Sequence, residues 1–153
     1  MKLIVPHDVL EEVGRFLESA GSLGLEGTGA LAAVPNEGAD VATKFIAPDQ
    51  VGEGGPGCSV AVTEKGKLEL VAALAPNERY VARVHSHPGA AFHSSVDDRN
   101  PFLTAEGAWS IVVPYFGLGL RRGIAACAVY RYSAGRWQSL TAREMEREIE
   151  VFE

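Results

Sequence analysis

Cysteine is scarce in this chain, with only Cys58 and Cys127 among 153 residues and no C-x-x-C spacing. That scarcity excludes a disulfide-stapled scaffold and a dithiol redox centre. Neither cysteine has a neighbouring feature that would lower its pKa, so both read as inert free thiols rather than nucleophiles. Long apolar runs are also missing. Nothing approaches the roughly 20 consecutive apolar residues of a membrane span. The opening segment Met1-Lys2-Leu3-Ile4-Val5-Pro6-His7-Asp8 lacks the apolar region of a signal peptide, and the chain is expected in the cytoplasm. Basic clusters are absent too. The formal charge is −6 and Arg121-Arg122 is the one adjacent basic pair, so no footprint for a phosphate backbone exists and neither nucleic acid nor membrane is an expected partner.

The composition that remains, 46% apolar and 22% charged, is that of an ordinary globular chain long enough to bury a core, and residues 1–153 read as one domain. There is no internal repeat. Asp8 can cap a helix in which Val9, Leu10, Val13, Phe16, Leu17 and Ala20 form an apolar stripe at three- and four-residue spacing. Residues 28–34 and 41–47 are short apolar or alternating runs separated by Pro35-Asn36-Glu37-Gly38, which reads as a β-hairpin. Residues 48–57 hold Gly-Glu-Gly-Gly-Pro-Gly and read as a surface loop.

A short strand is expected over 59–62. Residues 64–75 fit a helix better than a hairpin turning at Lys65-Gly66, and residues 80–87 and 109–114 read as strands. Residues 125–132 and 137–140 form a second hairpin around Ser133-Ala134-Gly135. Thr141-x-x-Glu144 is a capping box, and Met145, Ile149 and Phe152 follow at helical spacing, predicting a terminal helix. Gly117-Leu118-Gly119-Leu120 has neither the nucleotide-binding fingerprint nor a lysine, and it reads as a loop beside the site. Trp109, Tyr115 and Phe116 fit a core better than a substrate groove. Helices around mostly antiparallel strands make an α+β or mixed α/β domain.

Three of the four histidines fall within nine residues, in Val84-His85-Ser86-His87-Pro88-Gly89-Ala90-Ala91-Phe92-His93-Ser94-Ser95-Val96-Asp97-Asp98. Side chains of an extended strand repeat every second residue, so His85 and His87 share a face and can share one ion. Pro88-Gly89 ends the strand and lets the chain curl back. Ser95 and Asp98, three apart, face the same point on a helical turn. Asp98 as third ligand would complete two histidines and one carboxylate, leaving a tetrahedral zinc with one open position, as a catalytic zinc requires. Asp97 and Ser94 are rivals one residue away. His93 reads as a loop residue or as a neighbour of the site.

The pattern His85-x-His87, seven residues, Ser95, two residues, Asp98 resembles the signature of the JAMM, or MPN-plus, zinc metalloproteases, isopeptidases acting on ubiquitin and ubiquitin-like proteins. His-Ser-His-Pro-Gly and the downstream Ser110-Ile111-Val112-Val113-Pro114 are similar to the family's prokaryotic branch. The resemblance covers nearly the whole chain and implies a single JAB/MPN-type domain, a curved mixed β-sheet flanked by helices. It implies one zinc per chain on His85, His87 and Asp98; the spacing favours Asp98 over Asp97 and Ser95 over Ser94.

The resemblance also implies a glutamate acting as general base on zinc-bound water. Glu26, in Gly24-Leu25-Glu26-Gly27-Thr28-Gly29-Ala30-Leu31, looks like that residue at the family's helix-to-strand junction. Ser95 would donate to the developing oxyanion. The implied substrate is a ubiquitin-like protein, cut after its C-terminal residue in a precursor or a conjugate. Ubiquitin-activating and ubiquitin-conjugating-like enzymes, including those of antiviral systems, are the implied companions. A sulfur-carrier-like protein or small peptide conjugate is the alternative substrate. A non-catalytic binding scaffold is the alternative class, and an intact ligand set argues against it. Other zinc chemistries fit less well, since neither an H-E-x-x-H helix nor the deaminase pattern H-x-E with P-C-x-x-C is present.

Overall fold

Residues 2–6 already make a strand. In the computed structural model, which describes residues 1–53 and 60–153, β1 (Lys2–Pro6) buries Leu3 and Val5 completely and leads directly into α1 (His7–Ser22). Val9, Val13 and Leu17 lie four residues apart and form the buried stripe of α1. Pro6, rather than Asp8, occupies the cap position. Asp8 sits in the first turn, where its negative charge faces the positive end of the helix and its carboxylate accepts the Val9 N–H.

The expected first hairpin is present as β2 (Thr28–Asn36) and β3 (Ala39–Ile46). Its turn places Glu37 and Gly38 at φ 44° and 86°, a conformation that glycine adopts without a Cβ penalty. Within the expected 48–57 loop, residues 50–52 form a strand. β4 (Gln50–Gly52) pairs antiparallel with β5 (Val60–Val62) as a separate two-stranded ladder. The remainder of that loop, residues 54–57, lies outside the described residues together with Cys58 and Ser59. α2 (Glu64–Ala72) follows, capped by Thr63 Oγ1, which accepts the Gly66 N–H.

β6 (Arg79–Ser86) carries the first histidine, and α3 (Ser95–Arg99) carries the paired aspartates. β7 (Trp109–Val113) is buried along its whole length, as a central strand covered on both faces must be. Trp109 belongs to the core, 1% exposed, with the Arg131 guanidinium 3.7 Å from its ring centroid. The Gly117–Leu120 segment is no open loop. It enters a 3-10 turn over Leu118–Arg122 with Gly119 and Leu120 buried, and Gly117, at φ 90°, lies so close to Leu17 of α1 that a side chain there would clash.

A second 3-10 turn, Ile124–Ala126, precedes the hairpin of β8 (Ala128–Ser133) and β9 (Arg136–Ser139). Cys127, between turn and hairpin, is buried, and burial pushes its thiol up to about 12, consistent with an inert thiol.

The terminal helix is shorter than its periodicity predicts. The capping box forms as expected, but α4 (Ala142–Glu148) stops where Ile149 turns extended, and β10 (Ile149–Phe152) pairs parallel with β1, Leu3 opposite Ile149 and Pro6 opposite Phe152. Unpaired backbone groups along β1 and the β-branched Ile149 and Val151 favour the strand over another helical turn. The resulting sheet has eight strands in the order β10-β1-β3-β2-β6-β7-β8-β9. β1 with β10, β1 with β3, and β6 with β7 are parallel, while the other neighbours are antiparallel, making a mixed α+β architecture. Among the described residues, no helix is long and apolar enough to cross a membrane.

Candidate metal centre

The site forms where the sheet ends. His85 is the penultimate residue of β6, opposite Thr28 of β2 on one side and Val112 of β7 on the other. The ladder extends one step past the strand, since the His87 N–H donates to Val113 O (2.9 Å) and His87 O accepts the Phe116 N–H (2.7 Å). Both histidines are thus held by backbone, and alternation puts their rings together, with centroids 5.2 Å apart. Ser86, between them, points away and is completely buried. Its Oγ accepts the Gly27 N–H (2.9 Å), and its own N–H donates to Gly27 O (3.0 Å). Glu26 is thereby tied to the residue between the two histidines. One cleft of about 1220 Å³ is lined by Glu26, His85, His87, Ser94 and Asp97, among others.

The carboxylate that completes the cluster is Asp97, whereas the family spacing favours Asp98. Asp97 Oδ1 lies 3.2 Å from His85 Nε2 and Oδ2 lies 3.3 Å from His87 Nε2. Asp98 is turned outward, its carboxylate 57% exposed and engaged by His93 Nδ1 at 2.9 Å. The reason is the phase of a short helix. Ser94 is the N-cap of α3, its Oγ accepts the Asp97 N–H (3.1 Å), and its N–H donates to Asp97 Oδ2 (2.8 Å). This capping box aims Asp97 back at the imidazoles, and the next residue points about 100° further round the axis.

The Ser-x-x-Asp relation therefore survives one residue earlier, as Ser94 and Asp97. Ser95, expected beside the cluster, is exposed and does not line the cleft. Ser94-x-x-Asp97 and Ser95-x-x-Asp98 both satisfy the box pattern, so the sequence held the signal without a way to choose the phase.

The donor set fits a metal ion. One ligand atom from each of His85, His87 and Asp97 lies within 4.8 Å of the other two. His85 Nε2 is buried and, though 3.2 Å from Asp97 Oδ1, makes no well-formed hydrogen bond among the described residues. A buried polar atom without a partner is costly, and coordination would satisfy it. Two imidazoles and a carboxylate are the donors that borderline ions such as zinc prefer.

The electrostatics divide the two acids. Burial alone would raise Asp97, but the contacts with His85 and His87 and the Ser94 N–H outweigh it and hold the carboxyl well below the usual range. His87 is raised, first by its contact with Asp97, against the opposing effect of burial. Glu26 moves upward. Desolvation raises it, His87 and His85 partly offset this, and Asp97 adds to it. An acid with elevated proton affinity beside a metal-ligand cluster is suited to carrying a proton.

Other proteins are similar to this one in sequence or in fold. No family model matches the chain. A protein of Sinorhizobium fredii described as a probable metalloprotease is 28% identical over 150 residues, covering 96% of this chain and 92% of that protein. The solution structure of a Desulfitobacterium hafniense protein superposes with a TM-score of 0.65 at 14% identity, covering 99% of this chain and 93% of the other. The crystal structure of a JAB1/MPN-domain protein from Archaeoglobus fulgidus matches over 100% of both chains, with a TM-score of 0.52 and 17% identity. The chain has the fold of a JAB1/MPN domain. In this fold His85 lies near the end of β6 and His87 just past it, the aspartate comes from α3, and the glutamate precedes β2, so separate parts of the chain converge at one end of the sheet.

Proposed function

We propose that this protein is a zinc-dependent peptidase that cuts after the C-terminal residue of a ubiquitin-like protein, in a precursor or an isopeptide-linked conjugate. The observation that carries the reading is the convergence of His85, His87 and Asp97 in an open cleft that also contains Glu26. The similarity to a probable metalloprotease supports it. The cleft exceeds the roughly 300–1,000 Å³ of pockets that enclose small molecules, which favours a protein tail over a metabolite.

In this proposal His85, His87 and Asp97 hold zinc. The ion would supply Lewis acidity, acidifying water and polarising a carbonyl. Glu26, kept proton-avid by desolvation, accepts the proton that attacking water gives up and returns it to the leaving nitrogen. The Ser94 hydroxyl accepts from the Asp97 N–H, so its own proton remains free to donate to an oxyanion in the cleft. The protein would act in company with activating and conjugating enzymes of the same ubiquitin-like modifier.

The test is a cleavage panel. Zinc-loaded protein is incubated with fusions of a ubiquitin-like protein, a sulfur-carrier-like protein and a short peptide, and products are identified by mass spectrometry. Cleavage after the ubiquitin-like C-terminus, reduced on the order of 10²- to 10⁴-fold in Glu26→Gln, is the expected result. Preferential cleavage of the sulfur-carrier fusion would move the substrate class. Failure of the folded protein to bind zinc would overturn the reading.

A further inference from the structure

α3 is five residues long and buries none of them. A helix so short has no stability of its own, so the carboxylate it presents to the imidazoles must be positioned by something other than apolar packing. Polar contacts from the neighbouring strands do this. His93, just before the helix, has a side chain only 3% exposed, with Nδ1 2.9 Å from Asp98 Oδ1 and Nε2 2.7 Å from Ser110 Oγ of β7. Its ring stacks on Tyr130 of β8 at 3.8 Å between centroids and 16° between planes, and the Tyr130 hydroxyl accepts the His93 N–H (2.9 Å). Arg83 of β6, 4% exposed, donates to Ser110 Oγ (3.2 Å), to Asn100 O (3.1 Å) and to Asp97 O (2.6 Å). Three strands therefore grip both ends of α3.

The order Asp98–His93–Ser110 has the connectivity of a nucleophilic triad, but Ser110 is 0% exposed and no substrate carbonyl can reach its hydroxyl. The network has a different task. We propose that His93, through Asp98, is a positioning residue that sets the phase of α3 so that Asp97 rather than Asp98 meets His85 and His87. The adjacent carboxylates are thus divided between the cleft and the scaffold. This inference rests on the metal-site reading and adds to it a determinant of metal affinity outside the ligand set.

The experiment measures Zn²⁺ affinity by competition with a chromophoric chelator, alongside thermal melts of the metal-free proteins. The variants are His93→Phe, which keeps the stack and removes both ring nitrogens, Asp98→Ala, and Asp97→Ala. Partners that orient metal ligands typically contribute 10- to 100-fold in affinity, so His93→Phe and Asp98→Ala should each weaken zinc binding by about that much while Asp97→Ala abolishes it. The double variant should be no weaker than the worse single one, because both act through one contact.

A purely structural role would lower the melting temperature and leave the zinc affinity of the folded protein unchanged, which overturns the inference while the metal site stands. If His93→Phe does not fold, Asp98→Ala, altered at an exposed side chain, decides the matter in the same way. Zinc retained in Asp97→Ala and lost in Asp98→Ala would overturn both the phase assignment and the inference. A folded wild type that binds no zinc would instead overturn the metal-site reading on which the inference rests.

Discussion

Two serines side by side have unequal roles. Ser94 caps α3, lines the cleft and orients Asp97 through its backbone N–H, whereas Ser95 is an exposed first-turn residue. Ser94→Ala should lose a cap worth about 1 kcal/mol of stability and, by removing a serine hydroxyl that lines the cleft, reduce turnover on the order of a hundredfold. Ser95→Ala should stay within about 0.5 kcal/mol and leave turnover intact. Urea midpoints and initial rates of the two variants check this. Equal losses in both would contradict the phase drawn for the helix.

At the scale of elements, Glu78 fastens the entry to the ligand-bearing strand. Its carboxylate accepts the Ala75 N–H (2.8 Å), the Thr43 hydroxyl (2.7 Å) and Lys44 Nζ (2.7 Å), joining the turn before β6 to β3. The Lys44 contact leads these effects, which together lower the Glu78 carboxyl to about 2. Because the folded value lies below the ordinary one near 4.5, the clasp contributes in full above that value and is lost as pH falls from there toward about 2. Unfolding midpoints of Glu78→Gln should therefore lie below wild type at neutral pH and converge with it in acid. A constant gap across that range would show that the carboxylate's charge is not what holds the turn.

For the whole molecule, the site draws its parts from opposite regions of the chain and therefore couples metal binding to folding. Glu26 precedes β2, His85 and His87 lie in and just past the end of β6, and Asp97 comes from a helix gripped by β6, β7 and β8. A ligand that binds only the folded state at a hundredfold over its Kd adds roughly 2.7 kcal/mol, which for a domain of this size is about 5–10 °C in Tm. Zinc should produce that rise in wild type and none in His87→Ala, with a chelator reversing it. Differential scanning fluorimetry reads both.

Periodicity and turn chemistry carried most of the architecture. The α1 stripe, both hairpins and the Thr141 capping box are local patterns that any surrounding fold would leave in place. The pairing of His85 with His87 is equally local, because alternation along a strand sets it. Tertiary contacts decided the remainder. β10 exists because β1 offers it an edge, and apolar residues at helical spacing cannot disclose that edge in advance. The choice of Asp97 over Asp98 depends on the rotation of a five-residue helix that buries nothing, and so on Arg83, His93, Ser110 and Tyr130 around it. Spacing identifies which residues can meet at a site, but one residue of helical phase turns a side chain by about 100°, and only the packed surroundings determine that phase.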